Sequence, residues 1–451
     1  MKKSNFDIVR GTCTDISSEG KGVVKVDRDI IFVDGLFIGE EADIEIKYQR
    51  SGVLYGKVKK LYKTSKDRIQ PLCKVCTSCG GCQYQQIDYK EQLNIKTNRV
   101  KAAFDHIAKI KNIKINPCLG MDNPYFYRNK IQMPYGKDKK GNIVYGFYKE
   151  NSHEIIPIKE CKIEDRRAGA ILWDIKEILK EINIPIYNED TGRGILRYVL
   201  IKTSKHFDEI MVVLVTSMKN FPGQKNFVDA LMKKHPEITT IVENINHRHT
   251  NVILGEEEKV LYGKGYIKDT IMGLDFEISA SSFFQVNPTQ VEVLYNEALK
   301  LLDDNKNQVV LDAYSGVGTI GLIAARKAKE VISVEINKSA SRDAIKNAKR
   351  NNINNIRFYN DDAGNFINQY DGKLDVVIMD PPRKGSSKEF LNALLNKTPN
   401  KIIYISCDPE TLARDLEILK DKYNILSVQP VDMFPMTCHV ETVVDLQIKS
   451  N

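Results

Sequence analysis

The sequence predicts a multidomain α/β protein in three parts: a small N-terminal β-barrel (residues 1–62), a central α+β region (63–265) and a C-terminal Rossmann-like, doubly wound domain (266–451). Three observations predict it. Five short alternating segments with turn signals between them fill residues 4–62. From about residue 270 strand-like and helix-like segments alternate, the pattern of a parallel sheet with helices on both faces. Between these stretches four cysteines, Cys73, Cys76, Cys79 and Cys82, fall within ten residues. A chain of 451 residues is long enough for two or three separate cores.

Composition excludes some classes. The apolar runs are strand-length and broken by charges, so a spanning helix is not expected, and MKKSNFDIVR lacks the apolar core of a secretion signal. A cytoplasmic monomer with no membrane partner and no obligate protein partner is the expectation. The net charge of +8 is concentrated: Lys90 to Glu150 holds 13 Lys or Arg against 5 Asp or Glu. Phe104, Tyr125, Phe126, Tyr127, Tyr135, Tyr145, Phe147 and Tyr148 are interleaved with those cations. Cations for phosphates beside rings for bases suit single-stranded or looped RNA.

In order, FDIVRGTCTDIS, GKGVVKV, RDIIFVDGLF, EEADIEIKYQR and VLYGKVKKLYK suggest a closed barrel of the oligonucleotide-binding kind. Lys57, Lys59, Lys60, Lys63, Lys66 and Arg68 at its end suit an RNA-contacting accessory unit. The four clustered cysteines are too closely spaced for a disulfide framework and read as ligands of an iron-sulfur cluster or zinc. Gly80-Gly81 frees backbone amides beside them. Cys118 and Cys161 follow, and spacing allows either to replace Cys76. Glu91 to Lys111 is a predicted amphipathic helix, with Leu93, Val100, Phe104, Ile107 and Ile110 near one face, expected to pack on the C-terminal domain. A strand-rich region opens at Pro124–Gln132 and continues through IVYGFYK, RYVLIKTSK and EIMVVLVTS, with a helix over Asn226–Lys234. Thr250 to Gly265 reads as a hairpin-like connection at the boundary.

The C-terminal part is organised around Val309 to Asn337. A β-branched run ends in Asp312, a Gly316-Val317-Gly318 turn opens an Ala-rich helix, and a second apolar run ends in Glu335. Such glycines let the backbone approach a ligand, and an acid about 20 residues after the turn suits two ribose hydroxyls. The third glycine of the dinucleotide fingerprint is absent, so S-adenosylmethionine fits better than a dinucleotide. Ligands in such folds gather at the carboxyl ends of strands, which singles out Asp312, Tyr314, Glu335, Asp362, Asp380 and Ser406-Cys407. Cys407 precedes a helix opened by Pro409, where the dipole favours thiolate. His439-Val440-Glu441 leads into a closing strand.

With SFFQVN, DAYSGVGT, DPPRKG, SCDP and HVE in this order, the chain resembles an RNA uracil-5-methyltransferase of the bacterial 23S ribosomal RNA type, with a TRAM barrel and a [4Fe-4S] cluster. The resemblance covers nearly the whole chain. It implies S-adenosylmethionine as cofactor, Cys407 as nucleophile and Glu441 as general base. It implies Gln285, Tyr314, Glu335 and Asp380 as cofactor-site residues, with Asp362 beside them. It implies Cys73, Cys79, Cys82 and Cys161 as cluster ligands, leaving Cys76 as an addition to the family spacing. Two further readings are the same chemistry on a tRNA T-loop uridine and an RNA-binding or assembly factor with a silent methyltransferase domain. An amino-group methyltransferase also carries D-P-P at this strand, but usually with an aromatic ring where Arg383 stands.

Overall fold

The computed structural model describes residues 7–149, 152–250, 252–304 and 306–450. Residues 1–6 of the barrel unit, Glu150 at the end of the basic window and Asn251 within the boundary segment lie outside them. Five strands, Ile8–Ile16, Gly22–Val26, Asp29–Asp34, Glu41–Arg50 and Val53–Lys63 (β1 to β5), close into a barrel in the order β1-β2-β3-β5-β4. Alternate residues such as Val24, Ile31, Val33, Ala42, Ile44 and Ile46 fill its interior. Lys57, Lys59, Lys60, Lys63 and Lys66 are exposed. Arg68 is not a free cation as expected: it grips buried Glu40 through two hydrogen bonds of 2.6 Å and donates to Gly35 O, closing the barrel end.

Seven strands, Lys130–Lys137, Ile143–Tyr148, Ile155–Pro157, Leu196–Thr203, Ile210–Thr216, Thr240–Ile245 and Glu257–Tyr262 (β6 to β12), form the central sheet in the order β12-β11-β10-β9-β6-β7-β8. The segment read as a connection before Gly265 thus supplies β12, an edge strand paired antiparallel to β11. Helices Arg166–Ile182 and Gln224–Lys234 cover one face. The interleaved aromatics divide: Phe104, Tyr127, Tyr135 and Tyr145 are core residues and cannot stack on RNA bases. Tyr135 and Tyr145 stack on each other because antiparallel pairing of β6 with β7 sets them opposite. Tyr125, Phe126, Phe147 and Tyr148 remain half-buried.

The predicted 91–111 helix runs as Tyr89–Ala103 and continues as a wider π-type turn, Phe104–Ala108. Asp88 caps its start by accepting from Lys90 N. Val100, Ala103 and Phe104 are buried against one face of the C-terminal sheet, and Arg99 pairs with Glu410.

The C-terminal part begins with a hairpin, Tyr266–Ile271 and Leu274–Ser279 (β13, β14), whose two-residue turn Met272-Gly273 has positive φ at both positions. Seven more strands follow: Val309–Ala313, Glu330–Val334, Ile356–Tyr359, Val376–Met379, Lys401–Ser406, Tyr423–Val431 and Glu441–Ile448 (β15 to β21). Their order is β17-β16-β15-β18-β19-β21-β20; the first five are parallel and β21 runs antiparallel to both neighbours. Successive residues such as Val310 and Leu311 feed the cores on opposite faces, so the runs are apolar throughout. Leu200, Met211 and Val213 of the central sheet belong to one of those cores, which fuses the two parts. Among the described residues no helix is long and apolar enough to cross a membrane.

Candidate active site

Strand order reverses between β15 and β18, and the crevice beyond their carboxyl ends is where such a sheet holds a ligand. Register sets the residues there. Ala313 pairs with both Val334 and Met379, so Tyr314, Glu335 and Asp380 come off three adjacent strands at one level.

At the β15–β16 end the chain is shaped for a nucleoside. Gly316 and Gly318 have φ of 56° and 81°. A side chain on Gly316 would meet nothing within 4 Å, so the backbone there is open, whereas one on Gly318 would press on Ala344 at 3.0 Å. Glu335 is fixed by backbone donors: Oε2 accepts from Gly316 N at 2.8 Å and Oε1 from Asn337 N at 2.6 Å. Ile336, next to it, is 68% exposed, and Asn360 holds its carbonyl at 2.9 Å. An apolar side chain left in water beside a fixed carboxylate suits the flat face of a base; the sequence signal was an isoleucine directly after the strand-end acid. Asp362 is exposed and caps the helix Ala363–Gln369, accepting from Gly364 N and Asn365 N, so one of its oxygens is already engaged. Tyr314, at φ 63°, lies edge-on to Phe390 with its hydroxyl 3.3 Å from Ser386 Oγ. Asp312 is buried, accepts from Gly321 N at 2.9 Å and is pushed up to about 8, chiefly by burial and further by Asp380 and Glu335. These residues fit S-adenosylmethionine, which needs ribose and adenine contacts but no phosphate cradle.

Gln285 sits in the segment between β14 and the helix Pro288–Leu299. Its Nε2 lies 3.5 Å from the buried Tyr295 hydroxyl, and its carbonyl accepts from Asn129 of the central region at 3.1 Å. Phe283 beside it is 67% exposed.

At the other end stand Asp380, Cys407 and Glu441. Antiparallel pairing sets Ser406 opposite Thr442, which brings Cys407, one residue on, level with Glu441. Burial pushes Glu441 up to about 8, with Asp380 adding to the shift and Arg383 opposing it. Burial alone pushes Asp380 up to about 7. Neither side chain accepts a hydrogen bond from the described residues. Arg383 donates to the His439 ring at 3.1 Å, and burial with that guanidinium lowers His439 to about 4, so the ring is neutral and accepting.

The expectation that the following helix favours Cys407 thiolate is not met. Burial, then the Glu441 and Asp380 carboxyls, push the thiol up to about 12. Asp408 stands between sulfur and helix Pro409–Leu419 and caps it through Thr411 N at 2.9 Å, so a carboxylate already answers the positive end.

Away from this rim, Cys73, Cys76, Cys79, Cys82 and Cys161 line one cavity of about 230 Å³, together with Arg128, Lys130 and Glu164; Cys118 is not part of it. Among the described residues no three His, Cys, Asp or Glu side chains converge closely enough to grip a single ion, so the expected metal centre has no preformed ligand set. Burial raises the Cys79 thiol and pushes Cys82 up to about 12, with neighbouring cysteines adding to both shifts. A space this size ringed by sulfurs suits a group larger than one ion.

Known proteins resemble this chain along nearly its whole length. The family model described as tRNA (Uracil-5-)-methyltransferase matches residues 88–449. An uncharacterized RNA methyltransferase of Staphylococcus aureus (strain MRSA252) is 42% identical over 446 residues, 98% of each chain. Another, from Halalkalibacterium halodurans, is 40% identical over 448 residues, again 98% of each. Among solved structures, Pyrococcus abyssi tRNA (uracil-54, C5)-methyltransferase in complex with S-adenosyl-L-homocysteine matches with a TM-score of 0.79 at 27% identity, covering 97% of this chain and 100% of that one. The chain belongs to the tRNA (uracil-5-)-methyltransferase family, S-adenosylmethionine-dependent enzymes that methylate uracil in RNA.

Proposed function

We propose that this chain methylates carbon 5 of a uridine in ribosomal RNA through a transient bond between Cys407 Sγ and carbon 6 of the base. The observation that carries this reading is the pairing that sets Cys407 level with Glu441 at a rim shared with Asp380. Carbon 5 of uracil is too weak a nucleophile to react unaided. S-adenosylmethionine, when bound, supplies a methyl group on a cationic sulfur that a carbon nucleophile can take. Cys407, which is only partly buried, passes its proton to solvent water and the resulting thiolate adds to carbon 6, moving electron density onto carbon 5. After carbon 5 is methylated, Glu441 removes its proton, the ring double bond reforms and the Cys407 sulfur leaves. Asp380, with no donor on its carboxyl among the described residues, is free to hold the pyrimidine edge. Glu335, Tyr314, Gln285 and Asp362 hold the nucleoside cofactor.

The target base cannot reach this rim while stacked, so it must be flipped or looped out. The barrel, read as a TRAM unit, offers the exposed lysines of β5 and beyond for the RNA backbone. The cysteine-lined cavity fits a [4Fe-4S] cluster held by Cys73, Cys79, Cys82 and Cys161. Such a cluster, when bound, supplies the positive charge that keeps desolvated thiolates together; the methylation steps need no electron from it. A cytoplasmic location follows from this activity.

A second reading, a transfer RNA uridine as target, is favoured by the likeness to the Pyrococcus enzyme. The test is 5-methyluridine mapping in ribosomal and transfer RNA from cells with and without the gene. Loss of the modification at ribosomal positions supports the proposal; loss confined to transfer RNA replaces the target and keeps the chemistry. No loss in either sinks both readings.

A further inference from the structure

The loop that carries His439 and delivers Glu441 is held from outside its own domain. Gln92, in the helix Tyr89–Ala103, is completely buried. Its Oε1 accepts from Met436 N at 3.1 Å, and its Nε2 donates to Tyr84 O and Ile87 O, both at 3.0 Å, and lies 3.4 Å from Met436 Sδ. Tyr84 N donates to Met436 O at 3.0 Å. Gln83 Oε1 accepts from Cys438 N at 3.2 Å, and the Tyr127 hydroxyl donates to Pro435 O at 3.0 Å. Met436 is therefore gripped on nitrogen and sulfur by Gln92 and on oxygen by Tyr84, ten and two residues after Cys82. It is also in the left-handed region, at φ 69°. A methionine stays there only where its surroundings over-determine it, and such strain gathers at functional sites.

We propose that Gln92 is a positioning residue for the removal of the carbon-5 proton: by fixing Met436 it sets the path on which the chain delivers Glu441, and makes the cysteine-bearing segment part of the reaction site. This rests on Glu441 as the base. Cys407 is placed separately, by β19 and the helix after it, so the two halves of the reaction respond differently when Gln92 is lost.

The test separates adduct formation from adduct decay by quenching the reaction of enzyme, S-adenosylmethionine and uridine-containing RNA, then resolving covalent complexes on denaturing gels. In Gln92→Leu, formation should stay within about twofold of wild type while decay slows roughly tenfold, the scale of a slightly misplaced catalytic group. Adding Met436→Gly, which accepts a positive φ without strain, should recover part of that loss. Equal slowing of both phases would make Gln92 merely structural and overturn the proposal. Glu441→Gln run in parallel separates the two claims: no trapped adduct there overturns the base assignment and this proposal with it. A trapped adduct beside an unimpaired Gln92→Leu overturns the positioning alone. Should Gln92→Leu fail to accumulate folded protein, Gln83→Leu carries the test, with decay slowed about threefold expected and unchanged decay fatal.

Discussion

The two ends of the catalytic rim use the same functional group in opposite ways. Glu335 and Asp362, at the nucleoside end, each accept two backbone N–H groups, from Gly316 and Asn337 and from Gly364 and Asn365. Asp380 and Glu441, at the thiol end, accept none from the described residues, and burial raises both, to about 7 and about 8. Backbone donors fix a carboxylate's direction and suit it to holding hydroxyls; a buried carboxyl without donors holds its proton weakly enough near neutrality to exchange it. Asp312 lies between the two ends and shares both traits, one backbone bond and a rise to about 8. The difference divides binding from proton transfer along a single sheet edge.

The division breaks most visibly at Cys407. Cys407→Ala should lower methylation by roughly 10⁴-fold or more, as loss of a nucleophile does, while RNA and cofactor affinities stay within about twofold. Residual methylation near wild type, measured with tritiated S-adenosylmethionine, would remove sulfur from the reaction. Next comes Glu441→Gln, expected to slow adduct decay by about 10²–10⁴-fold. Its pH dependence sharpens the comparison. A base raised to about 8 is mostly protonated at pH 6, so wild-type decay should climb with pH and level off above about 8. The variant should show no such limb; a limb that survives unchanged belongs to another group.

Much of this arrangement was legible in the sequence because strand ends are marked by it. Asp312, Glu335, Asp380 and Cys407 each follow an apolar run, and a parallel sheet places all such positions on one rim. The five-stranded barrel was legible from its alternation. What the sequence hid depends on contacts between distant segments. Phe104, Tyr127, Tyr135 and Tyr145 read as base-stacking rings, and only packing between distant segments shows them to be core: Phe104 against the C-terminal sheet, Tyr127 against Met436, Tyr135 and Tyr145 within the central sheet. Arg68 looked like one more cation until Glu40 was found beneath it. The helix alone led to the expectation that the Cys407 thiol ionises readily; burial, with two carboxyls from other strands adding to it, reverses that. Gln92 gave no signal, being one polar residue on a helix whose partner lies 344 positions away.

At the nucleoside end a smaller effect is expected. Glu335→Gln keeps the shape but replaces a charged acceptor, a change of about 1.4 kcal/mol or roughly tenfold in the Kd of S-adenosyl-L-homocysteine by titration calorimetry. Adduct decay at saturating cofactor should be unaffected, because Glu335 stands at the other end of the rim. If decay slows as much as binding weakens, the two ends do not act separately.

The smallest expected effect is on stability, and its sign follows from the raised carboxyl of Asp380. Below pH 4 the folded and unfolded chains both carry this proton and the group contributes no pH dependence. Between about 4 and 7 the unfolded chain releases it while the folded chain keeps it, so stability falls as pH rises; above 7 the penalty is complete. Asp380→Asn should therefore melt at the same temperature as wild type near pH 4 and higher at pH 8, by about 2–4 °C for each kcal/mol relieved. Asp380 also helps to raise Glu441 and Cys407, so the same substitution should move the pH limb of adduct decay to lower pH. A lower melting temperature at pH 8 would mean that this carboxylate is held by a donor in the folded protein, and the contrast between the two ends would fail at its thiol side.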